Sequence, residues 1–315
     1  MIKNWQQDSR KTLKSAKQCN NFLQTKQFKE QNFSIKIPLE FANLIDKNNP
    51  NDPLLLQVLP KKNEQSEPSE FCSEPLADGK NSPVAGLIHK YPNRVLLIAS
   101  RVCAIHCQYC FRQNFDYSKH DIFSNWAAIE NYIFSHKNID EVILSGGDPL
   151  SLSDDKLQIL ITQIEQIKHI KTLRIHSRNA VVTPSRITAE LVAMLEQTSL
   201  KVVLVLHSNH AKELSEKFAK MIQKLQNITL LNQSVLLKGV NDSEQVLSEL
   251  SRRLFALGIL PYYLHLLDKV SAAEHFLVDD KLAIKLHQQL QKNLSGYLVP
   301  RLVRDENPEF KTWMN

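Results

Sequence analysis

The sequence predicts an α/β fold, either an open (β/α)6 partial barrel or a doubly wound sheet, preceded by a mainly helical extension over residues 1–93 and followed by a short C-terminal segment over 296–315. Two observations predict it. From Arg94 onward, short apolar, β-branched runs alternate with amphipathic stretches of helical length, the pattern of successive βα units. The runs number six, too few for a closed eight-stranded barrel, and each intervening stretch is long enough for a right-handed crossover between parallel strands.

The extension carries basic stretches with helical spacing, then the apolar DPLLLQVLP at 52–60, then a polar stretch from Lys61 to Ser82 that reads as a long loop. Strands are expected at RVLLIAS (94–100), EVILS (141–145), TLRIH (172–176), KVVLVLH (201–207), ITLLNQSVLL (228–237) and LPYYLHLL (260–267). These residue types suit a pleated, buried surface. Helices are expected near 124–136, 154–168, 186–197, 211–226 and 243–256, with a last one near 279–293 before the tail. Both candidate architectures place ligands at the C-terminal ends of their strands, so the loops there are where chemistry is expected.

At 315 residues and 43% hydrophobic, the chain can bury one large core or two ordinary ones. The net charge of +6 comes with interspersed acids and describes a solvated mixed surface. The most basic part, Lys3 to Lys29, reads as a polar helix face, and no base-stacking motif accompanies it, so nucleic acid is not an expected partner. The opening MIKNWQQDSR lacks the apolar core of a secretory signal, and no apolar run approaches the roughly 18 residues of a membrane helix. The expected location is the cytoplasm, with no membrane partner.

Of five cysteines, Cys19 and Cys72 stand apart while Cys103, Cys107 and Cys110 fall within RVCAIHCQYCFR (101–112), directly after the first core strand. An odd, clustered set argues for metal or redox chemistry rather than a disulfide framework. Three thiolates on one loop can ligate three irons of a [4Fe-4S] cubane and leave the fourth iron open for another ligand. A zinc knuckle is the rival, with His106 or His120 as a fourth ligand, but structural zinc sites usually use two well-separated ligand pairs. A zinc-stabilised basic binding module is therefore the alternative from outside enzymology.

After the second strand comes SGGDPL (145–150), in a chain with only 7 glycines. Gly146 and Gly147 would let the backbone approach a ligand closely, and Asp148 would then accept from a bound ammonium; a tight βα turn with Asp148 near a helix start is the plainer reading.

The three-and-two cysteine spacing, with Tyr109 before the last cysteine, resembles the cluster loop of the radical S-adenosylmethionine superfamily. That resemblance favours the partial barrel. It implies that the methionine part of S-adenosylmethionine chelates the open iron, with Tyr109 near the adenine and Gly146, Gly147 and Asp148 at the methionine amino group. HKYPNRVLL (89–97), RIHSRNAVVTPSRIT (174–188), LHSNH (206–210), NQSVLLKGVND (232–242) and PYYLHLLD (261–268) extend the match to lysine 2,3-aminomutases. The match is nearest the short bacterial branch that makes (R)-β-lysine for elongation factor P.

The resemblance further implies pyridoxal 5′-phosphate on Lys311, although NPEF precedes this lysine where longer relatives have a glycine-rich run. Lys90, Tyr91 and Arg94 match residues holding the cofactor phosphate. Arg112 matches the residue that pairs with the substrate carboxylate, and Asp268 an aspartate that receives its distal ammonium. Asp305 and Glu306 have the right sign for a second acid. No cysteine follows Cys110, so the C-terminal zinc site of longer relatives is not expected. The expected partners are lysine, an electron donor and the elongation factor P modification system, and an aminomutase acting on glutamate is the rival within this chemistry.

Overall fold

Pairing between neighbouring apolar runs builds one continuous sheet. The computed structural model describes residues 4–30, 33–60, 70–305 and 312–314. Strands β1 (Thr12–Leu13) and β2 (Ile37–Pro38) form a small antiparallel ribbon in the extension. The main sheet holds nine strands among the described residues: β3 (Leu87–Tyr91), β4 (Arg94–Ser100), β5 (Glu141–Gly146), β6 (Thr172–Ser177), β7 (Lys201–His207), β8 (Thr229–Val235), β9 (Leu260–His265), β10 (Arg301–Arg304) and β11 (Thr312–Trp313). Strands β4 to β10 are parallel, while β3 and β11 run antiparallel at the two edges.

Strand order follows chain order throughout. A doubly wound sheet would reverse its order at a switch point, whereas successive right-handed crossovers between adjacent strands put every helix on one face. Side-chain alternation agrees. Leu97, Val142, Leu144, Leu173, Ile175, Val202 and Leu204 share a core with the helices Trp126–Ser135, Asp154–Glu165 and Ala189–Gln197. The intervening positions, among them Arg94, Glu141, Arg174, His176 and His207, therefore face the concave side. Among the described residues β3 does not pair with β11, so the barrel is open.

All six expected strands form, but β3, β10 and β11 were not expected. They are short, and LIHKY carries His89 and Lys90 rather than an apolar alternation. Their strand state comes from pairing along an existing edge. The extension is also less helical than expected, with helices at Asn4–Arg10, Ala16–Leu23, Leu39–Ala42 and Pro53–Leu56. It builds its own apolar cluster, which includes Ile37, Phe41 and Leu54, and packs that cluster on Ala104, Ile105 and Val182. The extension thus sits directly under the cysteine loop.

Ser153, Thr188, Ser215, Ser243 and Asp279 each accept a hydrogen bond from the first turn of the helix they precede. Each such cap contributes about 1 kcal/mol and sets where a βα loop ends.

Candidate active site around the cysteine loop

The cysteine loop leaves the C-terminal end of β4 and is tied to the next βα turn. Gly147 N donates to Ser100 O at 2.7 Å, and Asp148 N donates to Val102 O at 2.9 Å. Gly146 has φ +106°, and a Cβ on Gly147 would lie 2.7–2.8 Å from the backbone of Val102. What lies close to Gly147 is Val102 of the protein's own cysteine loop, and what lies close to Gly146 is Ile98 and Ser100 of β4. Asp148 is buried and its carboxylate is fully engaged: Oδ1 accepts from Leu150 N and Ser177 Oγ, and Oδ2 from Arg178 N and Asn179 N at 2.7 Å each. The plainer reading, a turn and helix-start acceptor, describes these contacts.

Cys103, Cys107 and Cys110 are free thiols on one short turn, with Cys110 N donating to Cys107 O at 3.1 Å. Burial pushes all three thiols up, Cys110 to about 11; Cys110 and Cys107 add to the effect at Cys103, and Cys107 adds to it at Cys110. Crowded thiols of this kind suit a cationic centre, whose binding would displace their protons. Among the described residues no three His, Cys, Asp or Glu side chains converge as a single metal ion requires. A cubane does not ask for that convergence, since each thiolate ligates a different iron. The donor set fits the cluster.

Tyr109 is buried beside the loop, its ring stacked on His207 with centroids 5.7 Å apart. Its hydroxyl lies 2.8 Å from His207 Nε2 and accepts from Asn209 Nδ2 at 2.7 Å. Burial and the Arg178 cation hold the His207 pKa well below the usual value, so the ring is neutral. Gln57 joins this group from the extension. Its Oε1 accepts from Arg178 Nη2 at 2.9 Å and Asn209 Nδ2 at 3.0 Å, and its Nε2 donates to Glu213 Oε1 at 3.1 Å. The sequence reading missed Gln57, Arg178, Asn209 and Glu213 as site-forming residues. A lone amide inside the apolar DPLLLQVLP was the available signal for the first.

Lys90, Tyr91 and Arg94 come together at the β3–β4 hairpin. The Arg94 guanidinium lies 3.9 Å from the Tyr91 ring centroid, and Lys90 Nζ pairs with Asp305 Oδ1 at 2.7 Å. Burial first, and then the Asp305 charge, push the Tyr91 phenol up to about 12. Its buried hydroxyl lacks a well-formed hydrogen bond among the described residues. The Arg94 cation beside the phenol fits a phosphate dianion, with Lys90 able to join once it leaves Asp305. Lys311 and Glu306 lie outside the described residues.

Arg112 is buried, with Nε donating to Asp78 Oδ2 at 2.8 Å and Nη1 to Ser145 Oγ at 3.4 Å. The sequence did not reveal Asp78 as its partner. Asp268 follows β9 and lies close enough to Cys110 to raise the pKa of that thiol. Arg112 lowers the pKa of that same thiol.

Residues 93–224 match the 4Fe-4S single cluster domain. The L-lysine 2,3-aminomutase of Haemophilus influenzae is 48% identical over 276 residues, covering 87% of this chain and 82% of that protein. The Escherichia coli enzyme of the same name is 46% identical over 276 residues, covering 87% and 80%. This chain belongs to the lysine 2,3-aminomutase family. It is accordingly a radical S-adenosylmethionine enzyme and an isomerase.

Within the aminomutase family, the Clostridium subterminale L-lysine 2,3-aminomutase is 38% identical, and the match covers 84% of this chain but 64% of that longer protein. A radical SAM methyltransferase from Sphaerobacter thermophilus aligns with a TM-score of 0.47 at 16% identity, over 69% of this chain and 68% of that one. No helix among the described residues is long and apolar enough to cross a membrane.

Proposed function

We propose that this aminomutase converts L-α-lysine to (R)-β-lysine, using pyridoxal 5′-phosphate on Lys311, and supplies that product for modification of elongation factor P in the cytoplasm. The observation that carries the reading is the presence of a buried cation, Arg112, and an acid, Asp268, that both act electrostatically on Cys110. An amino acid with a carboxylate at one end and an ammonium at the other has its two charges answered there. A second carboxylate on the substrate would meet Asp268 with like charge, which disfavours glutamate. Relative lengths support the short bacterial branch: the match covers 80–82% of the Haemophilus and Escherichia proteins against 64% of the clostridial one.

Bound here, the cluster and S-adenosylmethionine would supply a radical that takes hydrogen from an unactivated carbon, and pyridoxal phosphate would carry the amino group from C2 to C3. Cys103, Cys107 and Cys110 would hold three irons, and Gly146 and Gly147 set the loop that carries them. Tyr109, fixed by Asn209 and His207, would form the wall of the adenine site. Lys90, Tyr91 and Arg94 would hold the phosphate, and Arg112 would exchange Asp78 for the substrate carboxylate. The protein's own contribution is placement and the exclusion of water from the concave face.

The test is anaerobic reconstitution with iron and sulfide, followed by incubation with lysine, S-adenosylmethionine, pyridoxal phosphate and a reductant supplied by dithionite in place of the cellular electron donor. β-Lysine of R configuration is expected. Formation of 5′-deoxyadenosine without β-lysine, or β-glutamate from glutamate, refutes the substrate assignment. Lys311→Ala should end β-lysine formation while iron and sulfide content stays at the wild-type level.

A further inference from the structure

The extension places a cation against the cluster loop. Lys36, beside β2, is half-buried and its Nζ donates to the carbonyl of Cys103 at 2.5 Å. The contact is one of a set. His106 N donates to Lys36 O at 2.9 Å, the His106 ring lies 2.7 Å from Ser34 O through Nδ1, and Phe33 stacks on that ring at 5.2 Å. Residues 33–37 therefore form a strap across the turn between the first two cysteines. Partial burial disfavours the Lys36 charge, the neighbouring Cys103 thiol favours it, and a second cation, Lys14, acts on it from nearby. Among the described residues no carboxylate pairs with Lys36 Nζ, whose hydrogen-bond partner is the Cys103 carbonyl.

A cation beside a cluster ligand has an electrochemical consequence. Reduction adds one electron to the cluster, and a fixed positive charge stabilises the more negative state, as cluster charge and local polarity set iron–sulfur potentials. We propose that Lys36 is a positioning residue that also makes the cluster easier to reduce, so that the N-terminal extension tunes its potential. The inference rests on the assignment of the cluster to Cys103, Cys107 and Cys110. A unit charge a few ångströms from the cluster, screened because the side chain is half-exposed, is worth about tenfold in the reduction equilibrium, or about 59 mV for one electron.

The experiment is a redox titration of the reconstituted full-length protein, followed by electron paramagnetic resonance of the reduced cluster, for wild type, Lys36→Gln and Lys36→Arg. Lys36→Gln should carry wild-type iron and sulfide yet titrate at a more negative potential by about 59 mV, a tenfold weaker reduction. Lys36→Arg should titrate as wild type does. A wild-type potential in Lys36→Gln overturns the proposal, as does an equal shift in both variants. Failure of Lys36→Gln to assemble a cluster also overturns it, because Lys36 would then be a structural clamp alone. If wild-type protein itself binds no iron and sulfide, the cluster assignment fails, separately from the role of Lys36.

Discussion

Gly147→Ala tests whether the SGGD turn exists to seat the cysteine loop. The added methyl would stand 2.7, 2.8 and 2.8 Å from Val102 O, C and N, all backbone atoms that have no rotamer to escape into. Relief requires the loop to retreat by several tenths of an ångström, which strains the hydrogen bonds Gly147 N to Ser100 O and Asp148 N to Val102 O. Overpacking of this kind costs about 1–3 kcal/mol, and each weakened hydrogen bond about 1 kcal/mol. A total of about 3–5 kcal/mol shifts the balance between seated and displaced loop by about a hundredfold or more. The assay is iron and sulfide content after anaerobic reconstitution, with circular dichroism and thermal unfolding on the same samples. Gly147→Ala should retain its secondary structure and lose most of its cluster. Gly296→Ala, where a Cβ meets nothing within 4 Å, is the control and should match wild type. Wild-type iron content and stability in Gly147→Ala would refute the reasoning.

Gln57→Leu removes the amide that joins Arg178, Asn209 and Glu213, leaving a buried ion pair without its bridging group; unfolding should become easier by about 2–4 kcal/mol in calorimetry or denaturant titration. Arg186→Met removes a fully buried guanidinium that pairs with Asp154 at 2.9 Å and lies 4.3 Å from the Trp5 ring centroid, and the stranded acid should cost about 3–5 kcal/mol of stability while cluster loading in the folded fraction is unchanged. Asp268→Asn should raise the KM for lysine at least tenfold and leave iron content alone; an unchanged KM places the substrate ammonium elsewhere. Cys107→Ser should lower bound iron below half of wild type, and full loading would take Cys107 out of the ligand set.

Much of the fold was legible because it is local. The six core runs announce strands by composition, and the stretches between them announce helices by their length and amphipathic spacing. Strands β3, β10 and β11 were not legible, since two to five residues without strong alternation become strands only where an edge waits for them. Asp148 shows the limit at a single residue: its position in SGGD suits a ligand contact or a turn equally, and only the arrival of Ser177 at the end of β6 and of Arg178 and Asn179 just beyond it shows which protein donors it accepts from.

The chain's amino-acid order by itself determined the repeating βα alternation and the grouping of three thiols on one turn, because both are set by residues near one another in sequence. Only the tertiary structure decided that the sheet winds one way into an open barrel, and that Gln57, Asp78 and Lys36 of the extension reach Tyr109, Arg112 and Cys103. Those contacts join residues 34 to 67 positions apart, and such pairings depend on how the whole sheet curls rather than on any local preference.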